Sequence, residues 1–185
     1  MAEKVIFLDR DGVINKDEGQ YITSWPEFEF LPGALEAIKK LTKSGFKLIV
    51  ISNQAGVSKG LYTQEVLADI TYNMQEKVRK AGGNISAVHY CMHRQDAGCE
   101  CRKPKTGLFK QALKNSPNIN TAESFMIGDS EKDIEAGKKA GCKTILVLTG
   151  KAKKKEDVCS FKTRPDFISN DLLDAVDSII LKRKK

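Results

Sequence analysis

Two acids stand two residues apart at the end of a short apolar run: Lys4-Val5-Ile6-Phe7-Leu8, then Asp9-Arg10-Asp11-Gly12-Val13-Ile14-Asn15. Paired carboxylates can bind a hard divalent cation, attack phosphorus or move a proton. An apolar run rich in β-formers reads as a buried strand, and side chains at i and i+2 of an extended chain leave on one side. The spacing therefore predicts that Asp9 and Asp11 face one site at the carboxyl end of a strand, with Gly12 letting the chain turn just beyond. Asp129, in Gly128-Asp129-Ser130-Glu131-Lys132-Asp133, would make a third carboxylate around one Mg2+, an ion that takes few carboxylates together with water and phosphate oxygens. Asp133 also suits a helix N-terminus, because Ser130-x-x-Asp133 has the form of a capping box.

Anion donors form a second set. Ser52 and Asn53 open Ser52-Asn53-Gln54-Ala55-Gly56, and Arg102-Lys103 precede Pro104. Phosphoryl transfer depends on positioning and charge neutralisation, which is what hydroxyl, amide and cationic donors supply. Taken alone, Arg102-Lys103 would read as a solvated basic pair. A third set is Cys91-Met92-His93 with Cys99-Glu100-Cys101, four nitrogen and sulfur ligands within eleven residues. That matches a closed, structural zinc site better than free thiols, which prefer burial, because polar Arg94, Gln95 and Asp96 lie between the two pairs. His89 alternates with Cys91 and reads as a strand residue. Cys142 and Cys159 read as isolated structural cysteines.

These residues need a scaffold. Strands are expected at the first apolar run, at Phe46 to Ile51, Ile85 to Tyr90, Ser124 to Ile127 and Thr144 to Leu148, with a short one near Phe167. Helices are expected from Pro32-Gly33 to about Gly45, Thr63 to Lys80, Thr106 to Lys114, Ile134 to Ala140 and Asn170 to Leu181. The segment from Cys91 to Lys105 reads as irregular. Strands alternating with helices imply a parallel sheet covered on both faces. Asp9 and Asp11, Ser52 and Asn53, and Asp129 each follow a strand at its carboxyl end, where open α/β sheets bind ligands.

The chain of 185 residues fits one domain, 1–185, with ordinary hydrophobic (41%) and charged (30%) content. No stretch is long and apolar enough to span a membrane, and none resembles a signal peptide, so a cytoplasmic location is expected. The five cysteines are then thiols or metal ligands. The formal net charge is +7, partly from the runs 151–155 and 182–185, which read as solvated surface without a nucleic-acid partner. A basic surface also attracts anionic substrates.

Asp9-Arg10-Asp11-Gly12-Val13, Ser52, Lys103 and Gly128-Asp129-x-x-x-Asp133 resemble the four motifs of the haloacid-dehalogenase superfamily of phosphotransferases. Within it, Asp9 to Asn15, Phe28-Glu29-Phe30-Leu31-Pro32-Gly33, Ser52 to Gly56 and Cys101-Arg102-Lys103-Pro104 are similar to the D,D-heptose 1,7-bisphosphate phosphatase family, relatives of the histidinol phosphatases. The likeness runs from about Val5 to Gly150. It implies a Rossmann-like three-layer fold of sheet order 3-2-1-4-5, with a short zinc loop at about 91–105 in place of a large cap domain. It implies Asp9 as nucleophile and Asp11 as acid and base. Mg2+ is then held by Asp9, the Asp11 backbone carbonyl and Asp129, with Asp133 supporting. Ser52 and Lys103 steady the phosphoryl group, while Arg102, Asn53, Gln54, Ser130 and the loop carrying Asp17, Gly19 and Tyr21 meet the substrate. Zn2+ is assigned to Cys91, His93, Cys99 and Cys101. The implied activity removes the 7-phosphate of D-glycero-D-manno-heptose 1,7-bisphosphate through an aspartyl-phosphate, by an enzyme expected to be a monomer. The alternatives are histidinol phosphate as substrate or the phosphorylated end of a nucleic acid. Two departures bear on the sugar: only five residues separate His93 from Cys99, and Ser130 stands where some relatives carry a lysine.

Overall fold

The computed structural model describes residues 3–182, so residues 183–185 of the basic tail lie outside it. Parallel strands buried on both faces read as unbroken apolar runs. β1 (Val5–Leu8) is such a run, buried at all four positions. It is followed by α1 (Ala34–Lys43), β2 (Lys47–Asn53), α2 (Gln64–Lys80) and β3 (Ala87–Cys91). Then come α3 (Gly107–Asn115), β4 (Phe125–Gly128), α4 (Glu131–Lys139), β5 (Lys143–Val147), β6 (Phe167–Ser169) and α5 (Leu172–Ala175). All strand pairs are parallel, and among the described residues the sheet order is β3-β2-β1-β4-β5-β6. The expected order of the first five strands is borne out, and the short strand near Phe167 extends the sheet beyond β5.

Alternation along the strands divides the core. Ile6, Leu8, Leu48 and Val50 pack under Ile38 and Leu41 of α1, Ile70 and Met74 of α2, and Leu172 of α5. Val5, Phe7, Ile49 and Ile51 face the other way, against Leu108 and Phe109 of α3 and Ala136 of α4. Helices therefore cover both faces, in three layers, and no large cap is evident.

Several boundaries differ from expectation. β2 runs on through Ser52 and Asn53, because both still pair with β3 at Tyr90 and Cys91. β3 begins two residues late and takes in Cys91. α4 starts at Glu131 because Ser130 caps it. The C-terminal helix is α only over Leu172–Ala175 and continues as a π-helical turn, Val176–Ile180. No helix among the described residues is long and apolar enough to cross a membrane.

Candidate active site

β1 lies between β2 and β4, so the chain reverses its direction of travel across the sheet at the β1–β4 boundary. Crevices at such switch points, beyond the carboxyl ends of the strands, are where open α/β sheets bind ligands. Asp9 leaves β1 there and Asp129 leaves β4 beside it. A cavity of about 280 Å3 opens over them. Its wall includes Asp9, Arg10 and Asp11 after β1; Asp17, Gly19 and Tyr21 from the next loop; and Ser52, Asn53 and Gln54 at the end of β2. Gln20, Arg102, Lys103, Ser130, Lys132, Asp133 and Lys151 complete the polar lining. Asp129 is fully buried behind this wall.

The centre is a lysine among acids. Lys103 Nζ lies 2.9 Å from Asp9 and 2.6 Å from Asp133, and it donates to the Ile51 carbonyl at 2.8 Å. Only 2% of Lys103 is exposed, so Lys103 is no solvated basic residue. Burial opposes its charge, but Asp133 and Asp9 together hold it firmly ionised. Asn53 sets its backbone, with the side-chain amide donating to the Lys103 carbonyl at 3.1 Å and accepting from the Lys103 N–H at 3.1 Å. The Asn53 amide is thus committed to Lys103 rather than free for substrate. Asp133 also caps α4, as its spacing from Ser130 predicts, by accepting from the Ser130 N–H and hydroxyl at 3.1 and 2.6 Å.

Asp9, Asp129 and Asp133 bring one oxygen each within 4.8 Å of one another. Burial, then the charges of Asp133 and Asp9, push Asp129 up to about 8. Burial also raises Asp9, to about 6, although Lys103 opposes it. Asp129 Oδ1 is buried without a hydrogen-bond partner, while Oδ2 accepts the Lys151 N–H at 2.6 Å. Crowded, buried, partly unsatisfied carboxylate oxygens are a donor set that fits a hard divalent cation. Gly12 makes the approach possible: its φ is 78°, and a Cβ there would lie 2.6 Å from Asp129 Oδ2.

Asp11 departs from the i, i+2 expectation. The extended chain ends with β1, and the amides of Val13, Ile14 and Asn15 all turn back onto the Arg10 carbonyl. The Asp11 carboxylate therefore stands outside the three-acid cluster. Its Oδ1 accepts from Arg10 Nε and Nη2 at 3.0 and 2.8 Å and from Asn15 at 3.0 Å. Its Oδ2 accepts from Gln54 Nε2 at 2.6 Å and Arg10 Nη2 at 3.1 Å. Burial would raise Asp11, but the Arg10 charge and these donors hold it below the usual carboxylate range. Arg10 is buried and lies against the rings of Phe28 and Tyr90, each 5.9 Å away. The sequence reading used Arg10 only as part of a motif, and no local pattern marks an arginine for burial.

At the rim, Arg102 Nη1 donates to the His93 carbonyl at 3.3 Å, and Asp17 accepts from the Gly19 N–H at 2.9 Å. Lys151 Nζ stands 3.4 Å from Asp17, so the basic run begins at the exposed mouth of the site. Lys132 also lines the cavity; in the sequence it stands between two acids, and Lys151 is masked by the lysines that follow it, so neither was marked as a site residue.

Beyond β3, Cys91, His93, Cys99 and Cys101 gather within 4.8 Å. The Sγ atoms of Cys91 and Cys101 are 3.1 Å apart, each is 3.6 Å from Cys99, and His93 Nδ1 is 3.2 Å from Cys101. A tetrahedral site with Zn–S bonds of ~2.3 Å has ligand edges of roughly 3.7 Å, so the set fits zinc. Burial and the neighbouring cysteines push the Cys101 thiol up to about 12. His89 stays in β3 and outside this cluster. Cys142 is buried, as expected, but Cys159 is exposed, in contrast to its structural reading.

A sequence profile of the family described as HAD-hyrolase-like matches residues 100–175. A D-glycero-beta-D-manno-heptose-1,7-bisphosphate 7-phosphatase of Haemophilus ducreyi is 36% identical over 184 residues, covering 95% of this chain and 98% of that protein. One of Helicobacter pylori strain J99 is 42% identical over 149 residues, covering 80% and 84%. The crystal structure of D,D-heptose 1.7-bisphosphate phosphatase from B. bronchiseptica, complexed with magnesium and phosphate, superposes with a TM-score of 0.89 at 32% identity. That match covers 97% of this chain and 99% of the other.

Proposed function

This chain belongs to the family of the D-glycero-beta-D-manno-heptose-1,7-bisphosphate 7-phosphatases, and from that premise we propose that it hydrolyses the 7-phosphate of the heptose bisphosphate in a single catalytic domain. It is a phosphoric monoester hydrolase of haloacid-dehalogenase type. The observation that carries the mechanism is the buried Lys103 between Asp9 and Asp133, facing a cavity at the switch point of the sheet.

Asp9 is the nucleophile. Its carboxylate attacks phosphorus while the bond to the C7 oxygen breaks, and Asp11 gives that oxygen a proton. Asp11 then takes a proton from water as the water attacks the aspartyl-phosphate, which frees inorganic phosphate and restores both acids. Ser52 and Lys103 hold the phosphoryl oxygens, with Lys103 already charged and placed before substrate arrives. Asp9, Asp129 and the Asp11 backbone carbonyl are the residues to hold Mg2+, supported by Asp133. When bound, the ion neutralises phosphoryl charge and orients the group. Arg102, Ser130 and the loop of Asp17, Gly19 and Tyr21 meet the sugar. Gln54 serves through Asp11, because its side chain is committed there. Cys91, His93, Cys99 and Cys101 suit structural Zn2+, which ties the end of β3 to the segment bearing Arg102 and Lys103.

The test is a comparison of kcat/KM for the heptose bisphosphate and for histidinol phosphate. The bisphosphate is expected to lead by at least about 100-fold, and a preference for histidinol phosphate removes the heptose reading. Asp9→Asn is expected to abolish turnover of both.

A further inference from the structure

We infer that Tyr62 is a positioning residue of the acid–base step, whose phenol fixes which end of the Gln54 amide faces Asp11. This rests on the proposed role of Asp11. Tyr62 is buried, stands outside the cavity wall and precedes α2. Its O–H donates to Gln54 Oε1 at 2.7 Å. Gln54 Nε2 then donates to Asp11 Oδ2 at 2.6 Å and to Ser52 Oγ at 3.2 Å. One amide thus ties the acid–base carboxylate to the phosphoryl-binding hydroxyl. An amide is nearly symmetric in shape but opposite in chemistry at its two ends. Turned over, Gln54 would set its carbonyl oxygen against the Asp11 carboxylate, acceptor against acceptor. The Tyr62 hydroxyl, bonded to the carbonyl end, holds the working orientation.

Two neighbours are shaped around this phenol. A Cβ at Gly56 would lie 2.1 Å from the Tyr62 ring and 2.8 Å from its hydroxyl, so any other residue there displaces it. Tyr21, in the cavity wall, rests its ring 6.5 Å from the Tyr62 ring. Without the Gln54 bond, Asp11 Oδ2 keeps only the longer contact from Arg10, at 3.1 Å, so the carboxylate loses its short anchor at that end while Oδ1 stays held by Arg10 and Asn15. The loss falls on proton delivery to the leaving oxygen as the Asp9–phosphorus bond forms and the phosphorus–oxygen bond breaks. Ser52 stays fixed at the end of β2, paired with Tyr90, so the change in substrate binding is small.

Tyr62→Phe removes one oxygen and keeps the ring. On a sugar phosphate, whose alkoxide needs a proton to leave, kcat is expected to fall about 10-fold with KM within about twofold. On p-nitrophenyl phosphate, whose leaving group needs none, the first-turnover burst of p-nitrophenol is expected to be unchanged. Gly56→Ala is expected to reproduce this pattern. In a Gln54→Leu background, Tyr62→Phe is expected to add no further loss. An unchanged kcat, an equal loss in the burst, or additivity with Gln54→Leu overturns the inference while wild-type turnover stands. A wild-type protein inactive on both esters overturns the proposed function and this inference with it.

Discussion

Lys103 is the residue on which the site depends. It is the only buried cation between Asp9 and Asp133 among the described contacts, and removing one partner of a buried ion pair leaves the others uncompensated. Lys103→Met is expected to cost about 3 kcal/mol in a denaturant melt and to reduce kcat by at least about 1000-fold. Asp129 behaves in the opposite sense. Its neighbours repel its charge, so Asp129→Asn is expected to melt at a higher temperature than wild type without Mg2+. Added Mg2+ is expected to raise the wild-type melting temperature and leave that of Asp129→Asn unchanged. A Mg2+ shift in the variant would contradict the assignment of Asp129 to the ion. At this scale residue type and strand end coincide for Asp9 and Asp129, which made them legible, whereas Lys103 lies in the loop after β3 and was legible only through its likeness to a family motif. The partners of Asp11 were not legible. They come from Arg10, Asn15 and Gln54, brought together by a turn that the i, i+2 rule does not describe.

At the scale of elements, the segment between β3 and α3 folds its cysteines and histidine into one cluster with Cys91, and Cys99 and Cys101 also pack against the apolar core. Metal-binding energy in such a loop is folding energy. Cys101→Ser is expected to lose bound zinc and to lower both melting temperature and kcat, because Arg102 and Lys103 follow directly. Unchanged metal content and melting would refute this. The far edge of the sheet has its own anchor. Asp166 accepts from the Thr144 N–H and hydroxyl at 2.8 and 2.9 Å and pairs with Lys138, which joins the start of β6 to β5 and α4. Burial raises the Asp166 carboxyl, but Lys138 and Thr144 together outweigh it and hold the group below its ordinary 3.8. A depressed acid stabilises the fold fully above the unfolded pKa, and that contribution fades as pH falls through the folded value. Asp166→Asn is expected to cost about 1–2 kcal/mol at pH 7, with the gap to wild type closing below about pH 4. A gap constant with pH would show that the ionised form is not what matters. The cysteine spacing announced the Cys/His cluster. No pattern announced Asp166, whose partners lie in other strands and helices.

Across the whole molecule, the sheet converts sequence order into a site. Residues from strands far apart in the chain meet because all the strands run parallel and end on one edge. The alternation of strand and helix made that architecture legible, down to the order of the first five strands. What stayed hidden was long-range and tertiary: the sixth strand's place, the burial of Arg10, and the entry of Lys132 and Lys151 into the cavity. With no large cap, the rim is built from the Asp17–Tyr21 loop, the segment bearing Arg102 and these lysines, and it is open to a small anionic sugar. The proposed reaction takes the phosphate at C7 and leaves the one at C1. The most direct measurement is phosphorus NMR of D-glycero-D-manno-heptose 1,7-bisphosphate during turnover. The C7 phosphate signal is predicted to vanish as inorganic phosphate appears, while the anomeric C1 phosphate signal persists. Loss of the anomeric signal, or no change in either, would contradict the account.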